Sequence, residues 1–132
     1  MRTRTIIGHT LALLVLFDCA YASENADRRH VALAQERGCM LCHALRPDDR
    51  AVQQVLPLAP SFEEIAQRYR GDASAEKRLV RTVLQGTGPH PGDRHWAGKV
   101  DANRMLPNAV EIDEPAARSL VRWILSLEAP RS

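Results

Sequence analysis

Two cysteines and a histidine stand together in Gly38-Cys39-Met40-Leu41-Cys42-His43, and their types and spacing admit four kinds of chemistry. Cys-x-x-Cys-His is the spacing at which c-type haem is attached. Two thiols three residues apart lie on one side of a helical turn, where each can form a thioether with a haem vinyl group, and the adjacent imidazole then points at the iron. A dithiol redox pair also uses Cys-x-x-Cys, but it sits after a strand in an alternating strand and helix pattern; no such alternation is visible here. A structural zinc site needs four ligands, so Cys39, Cys42 and His43 would have to recruit among His30, His90 and His95, which offer no second paired spacing. A plain Cys39–Cys42 disulfide is the remaining reading. Of the four, haem is the one the residues favour.

With His43 on one face of the iron, the opposite axial position needs its own ligand. The chain has three methionines. Met1 opens it, and Met40 lies between the cysteines, where the turn that attaches the haem keeps it from the opposite face. Met105 remains, in Arg104-Met105-Leu106-Pro107-Asn108, with Pro107 limiting backbone freedom just after it. His90 and His95 are its rivals, although Gly88-Pro89-His90-Pro91-Gly92 and Asp93-Arg94-His95 read as an exposed turn. His30 reads as a surface residue of a first helix.

The elements that must position these residues are helical. A first helix runs from about Asn25 to Arg37, carrying Val31, Leu33 and Ala34. Phe62, Ile65, Ala66 and Tyr69 then recur at i, i+3, i+4, i+7, Ser61 and Glu64 form a capping box, and Gly71 closes the segment. A third stripe, Leu79, Val80, Val83 and Leu84, follows a cap at Asp72 or Ser74 and ends at Gly86. The last helix is capped by Asp113, tolerates Pro115 in its first turn, and shows Ala117, Leu120, Val121, Ile124 and Leu127 on one face with Arg118 and Arg122 opposite. No period-2 strand and no internal repeat is visible. The class is all-α. Four helices of about 8 to 14 residues leave a thin core in a chain of this length, and a covalently held haem would supply the missing apolar centre.

The whole sequence is 132 residues with 45% hydrophobic and 26% charged side chains, the composition of one ordinary soluble domain. Its first 22 residues read as a secretory signal peptide. Arg2 and Arg4 precede an apolar run from Ile6 to Phe17, and Ala20-Tyr21-Ala22 places small residues where a signal peptidase reads. That run is about a dozen residues and contains His9 and Thr10, short of the roughly 20 that span a bilayer; no permanent anchor is expected. Asp18 before Cys19 argues against lipid attachment. Cleavage near Ala22 leaves 23–132 as a single domain and removes Cys19, so only the motif cysteines remain. The 18 basic and 16 acidic residues are too balanced for phosphate-backbone binding, so nucleic acid is not an expected partner.

At these residues the sequence resembles a family, the small bacterial class I cytochromes c. The resemblance is carried by Cys39 to His43, Ala59-Pro60-Ser61-Phe62 with Ile65-Ala66 and Tyr69, Trp96, Met105 to Asn108, and Val121 to Leu127, and spans nearly all of 23–132. It implies about four helices around one covalent haem c and its iron. It further implies that Pro60 offers its backbone carbonyl to the imidazole N–H of His43, that Asn108 stands beside the Met105 sulfur, that the Trp96 indole approaches a haem propionate, and that Trp123 packs between the first and last helices. Ala59 replaces the usual glycine before the proline, Ala97 replaces a glycine after Trp96, and Leu106 stands where a proline is common. The connections from Leu45 to Ala59 and from Gly86 to Arg104 are longer than in the smallest members, and loops of this size tend to be functional. They resemble those of small haem subunits that serve periplasmic dehydrogenases, sulfite dehydrogenases among them.

The resemblance implies periplasmic one-electron transfer with His43 and Met105 on the iron, a ligand pair that favours the ferrous form. The protein would be a soluble carrier or the haem subunit of an oxidoreductase, and not itself an enzyme. Its partners would be a periplasmic dehydrogenase as donor and a terminal oxidase or another cytochrome as acceptor. The alternative is a haem enzyme or ligand sensor, peroxidase-like, with a labile sixth ligand; the two part at Met105. The docking patch is expected at the haem edge, bordered by Arg46, Asp48, Asp49 and Arg50 on one loop and Asp93, Arg94 and Lys99 on the other.

Overall fold

The structure, a computed structural model, describes residues 24–49, 56–87, 96–100, 105–107 and 110–128. Residues 1–22, read above as a signal peptide, lie outside them, as do His90, His95 and Asn108 and, of the expected docking patch, Arg50, Asp93 and Arg94. Residues 24–36 form helix α1, and a 3-10 turn over Cys39–Leu41 follows. A second, Pro47–Asp49, leads towards α2 (Phe62–Arg68), α3 (Ala75–Gln85) and α4 (Glu114–Ser126). No strand occurs among the described residues.

Each helix start has a local chemical cause. At α2 the four orphan N–H groups that open any helix are all taken. Ser61 N–H donates to Glu64 Oε2 at 2.7 Å and Glu64 N–H to Ser61 Oγ at 3.3 Å, the reciprocal capping box. Phe62 and Glu63 donate to the carbonyls of Ala44 and Leu45 at 3.0 and 3.2 Å, so the two residues after His43 cap the helix from outside. At α4 the Asp113 carboxylate accepts from Ala116 N–H at 2.8 Å, with Pro115 in the first turn where a missing N–H is harmless. The α2 helix ends at Arg68 with Tyr69 as its cap, and Gly71 (φ 78°) belongs to the turn beyond it.

The start of α3 divides the work between the two expected residues. Ser74 occupies the cap position but makes no side-chain cap bond. Asp72 instead accepts from Ser74 N–H (2.8 Å), Ser74 Oγ (2.7 Å) and Arg78 Nη2 (2.6 Å). The Ser74 hydroxyl, then Arg78 and the Ser74 amide, push the Asp72 carboxyl from its ordinary 3.8 down to about 2. A depressed carboxylate contributes stability that is present above its unfolded pKa and lost as pH falls through the folded one. Asp72→Asn is therefore expected to be less stable than the wild type in denaturant melts at neutral pH, with the difference closing between about pH 4 and pH 2. A difference that persisted unchanged to pH 2 would assign it to something other than the carboxylate.

The core lies where α2 and α3 pack on α4. It is built from Phe62, Val80, Val83, Ala117, Leu120, Val121, Trp123 and Ile124, with fully buried Ala34 from α1. Across α3 and α4, Glu76 receives both Arg118 Nη1 and Arg122 Nε at 3.1 Å. These exposed pairs add register more than stability. No helix among the described residues is long and apolar enough to cross a membrane.

Candidate functional site

The two thiols sit where α1 hands over to the 3-10 turn. Cys42 and His43 N–H both donate back to the Cys39 carbonyl, at 3.3 and 3.0 Å, so the whole motif is wound on one acceptor. Cys39 is buried, Cys42 exposed, and both are thiols rather than a disulfide. Burial pushes the Cys39 thiol above its ordinary value, its backbone hydrogen bond opposing and Cys42 adding to the rise. A redox dithiol instead depends on an accessible cysteine with a lowered pKa, so the environment of Cys39 speaks against that chemistry. Met40 is partly buried and packs against the core.

His43 is held from three directions. Its Nδ1 donates to the Pro60 carbonyl at 2.7 Å; because a carbonyl can only accept, this bond selects the tautomer whose lone pair is on Nε2, the form that binds a metal. Its ring stacks on Phe62 with centroids 5.4 Å apart and planes 19° from parallel. The bonds from Phe62 and Glu63 to Ala44 and Leu45 then lock residues 43–45 against 60–63, so Pro60 cannot drift from the imidazole.

An aromatic series continues behind that ring. Phe62 meets Trp123 edge-on at 5.8 Å, and Trp123 stacks on His30 at 5.4 Å and 5°. Trp123, 5% exposed, donates its indole N–H to Asp27 Oδ1 at 2.8 Å and so packs α4 against α1, as the resemblance implied. The surface reading of His30 is corrected here. It is half-buried, its Nδ1 donating to the Ala26 carbonyl at 2.8 Å and its Nε2 accepting from Ser119 Oγ at 3.1 Å. It ties the first helix to the last.

Met105 is half-buried and packs against the core. Its backbone is bonded on both sides to Thr87, just past α3, a residue that the sequence patterns passed over because its partner lies 18 positions away. Trp96 is half-buried, at the head of a turn in which its carbonyl accepts from Lys99 and Val100.

These residues fit a covalent haem. The attachment turn, the loop behind it and the methionine segment each expose a large apolar side chain: Leu41 at 82%, Leu56 at 48%, Leu58 at 51% and Leu106 at 67%. Large apolar groups grouped on chemistry-bearing segments mark a binding surface, and a flat apolar macrocycle is a group they can cover.

The chain matches no family model, but individual relatives are clear. It is 35% identical over 97 residues to cytochrome c2 of Rhodocyclus tenuis, covering 74% of this chain and 90% of that protein. It is 37% identical over 99 residues to cytochrome c-551 of Allochromatium vinosum (74% and 84%), and 32% identical over 98 residues to cytochrome c-551 of Pseudomonas aeruginosa (71% and 72%). In fold it is similar to the crystal structure of Nitrosomonas europaea cytochrome c552, with a TM-score of 0.53, 22% identity and 74% of this chain aligned to 99% of that one. The helices, the attachment turn and these relatives lead to one conclusion: the chain belongs to the small bacterial class I cytochromes c, electron-transfer proteins that carry one covalent haem.

Proposed function

We propose that the protein is a periplasmic one-electron carrier, free or as the haem subunit of an oxidoreductase. Cys39 and Cys42 form the thioethers, and His43 and Met105 are the axial ligands. The observation that carries this reading is the His43 Nδ1 bond to the Pro60 carbonyl at 2.7 Å, made within two residues of a Cys-x-x-Cys pair. When bound, the haem supplies a single ferric to ferrous couple. The residues contribute constancy: His43 is pinned by Pro60 and Phe62, and Met105 by its contacts with the core and Thr87, so neither ligand has to move when the charge on the iron changes. Trp96 and Asn108 keep the supporting roles that the family implies, at a propionate and beside the methionine sulfur.

Residues 1–22 act in this reading as a signal peptide cleaved near Ala22, and 23–132 as the working domain. The donor is a periplasmic dehydrogenase, and the acceptor a terminal oxidase or a second cytochrome. They meet a patch that includes the exposed apolar Leu41, Leu56, Leu58 and Leu106 and the mixed charges of Arg46, Asp48, Asp49 and Arg50 on one loop and Asp93, Arg94 and Lys99 on the other, a pattern that favours a specific contact over general attraction.

The test is Met105→Ala. Ferric wild type is expected to show the weak red charge-transfer band of a sulfur-to-iron bond and to bind azide poorly. The variant is expected to lose the band and to bind azide at least about tenfold more tightly, because about 1.4 kcal/mol or more of competition from the sulfur is gone. A band that survives in the variant moves the ligand elsewhere, with His95 next. A wild type that already binds azide as well as the variant supports the enzyme or sensor reading instead.

A further inference from the structure

We infer that Thr87 is a positioning residue for the methionine ligand, forming with Gly86 a bracket at the end of α3 that sets where the Met105 sulfur can be. The inference rests on Met105 being the axial ligand. It concerns what holds that ligand, which neither the attachment motif nor the helix pattern addresses.

The bracket is built from backbone and one side-chain hydroxyl. The α3 helix ends at Gln85, and Gly86, with φ 72° and ψ 176°, turns the chain while its N–H closes on the Thr82 carbonyl at 2.8 Å. A Cβ at position 86 would fall 2.7 Å from both the Met105 carbonyl oxygen and the Pro107 nitrogen, so the two segments touch main chain to main chain there. Thr87 then binds one residue three times. Its N–H donates to the Met105 carbonyl at 2.8 Å, its hydroxyl accepts from the Met105 N–H at 2.8 Å, and the same hydroxyl sits 3.2 Å from the Met105 carbonyl, to which it donates.

A pair of extended backbones can satisfy both polar groups of a residue only with a second carbonyl opposite its N–H. Here the Thr87 hydroxyl stands in for that carbonyl. Both backbone groups of Met105 are therefore anchored to one residue, and Pro107 restricts the chain two residues later. The anchor itself is firm, because Val80 and Val83 bury α3 in the core. To leave the iron, the Met105 side chain must either rotate within a half-buried site or carry its backbone away, and the second route requires breaking these bonds. The hydroxyl thus biases the equilibrium between bound and displaced sulfur, and serine can replace it but valine cannot.

The experiment uses ferric holo-protein with Thr87→Val, Thr87→Ser and, as a control, Thr82→Val. Among the described residues the Thr82 hydroxyl is bonded only within its own helix, to the Arg78 carbonyl at 3.2 Å. Two quantities are read, the azide affinity and the pH at which the red sulfur-to-iron band disappears. Losing both hydroxyl bonds, and leaving the half-buried Met105 amide without its acceptor, is expected to make azide binding about tenfold tighter in Thr87→Val and to lower the pH midpoint by about one unit. Thr87→Ser and Thr82→Val should stay within about twofold of wild type.

The inference is overturned if Thr87→Val also stays within about twofold, or if Thr82→Val shifts as far, which would mark a general loosening of α3. Should Thr87→Val fail to mature, hydrogen exchange of the Met105 amide in wild type decides. Slow exchange, about a hundredfold below a solvent-exposed amide, supports the bracket, and exchange near the exposed rate overturns it. Failure of the ligand assignment is separately visible, as absence of the band in wild type or its survival in Met105→Ala; the bracket then falls with it.

Discussion

Replacing Cys39 or Cys42 by serine is expected to reduce the yield of holo-protein to near background and to leave a chain with little cooperative structure. Wild type should retain its haem through acid and organic-solvent extraction, and intact mass should show polypeptide plus one haem without residues 1–22. The size of the effect follows from what fills the core. Ala34, Ala59, Ala66, Ala75 and Ala117 are among its buried members, beside the larger Phe62, Trp123, Leu120 and Val121. Small side chains let elements approach but bury little apolar area. Net stabilities are only about 5 to 15 kcal/mol, and removing the largest apolar group from a domain this small takes away most of that margin. Circular dichroism and mass spectrometry of periplasmic extracts measure both parts. Haem that extracts freely from wild type would overturn the thioether assignment, and an apo chain that melted cooperatively near the wild-type temperature would overturn the claim about the core.

The second large effect is expected at Gly86. Its φ of 72° and ψ of 176° lie in a region that is essentially restricted to glycine, where another residue costs about 1 to 3 kcal/mol. The Cβ of Gly86→Ala would also press to 2.7 Å on the backbone of Met105 and Pro107. Those atoms are main chain and cannot rotate away, so the methionine segment itself has to move. Destabilisation of about 3 kcal/mol or more is expected in denaturant melts of holo-protein, together with weakening of the red sulfur-to-iron band. Gly71→Ala separates the two causes. Gly71 has a similar φ of 78° but nothing within 4 Å of its notional Cβ, so it should lose only about 1 to 2 kcal/mol and keep the band. Equal losses at the two positions would mean that the approach to Met105 contributes nothing.

Features whose determinants lie within a few residues were legible in the amino-acid sequence. The attachment turn is one, since Cys39, Cys42 and His43 are wound on a single carbonyl. The Ser61 and Glu64 capping box, the Asp113 cap and the apolar face of α4 are others, because a side chain reaches the nearest backbone amides, or repeats along one helix, whatever the rest of the chain does. Even the split at α3, with Asp72 accepting the bonds and Ser74 holding the position, stays inside one turn, and the sequence had narrowed it to those two. The Pro60 carbonyl on His43 was reached by resemblance, not by spacing.

Only the tertiary structure decided the contacts that close long loops. His30 has the local pattern of a surface residue, yet it is half-buried because Trp123 and Ser119 arrive from the opposite end of the chain. The first turn of α2 draws two of its acceptors from Ala44 and Leu45, across a loop whose length gives no hint of where its ends meet. Thr87 meets Met105 for the same reason. A hydroxyl's preference for an amide is universal, and which amide it finds depends on how helices several turns away are packed. In this protein, local chemistry marks out the attachment turn and the helix caps, while contacts made across long loops decide what holds the Met105 backbone in place.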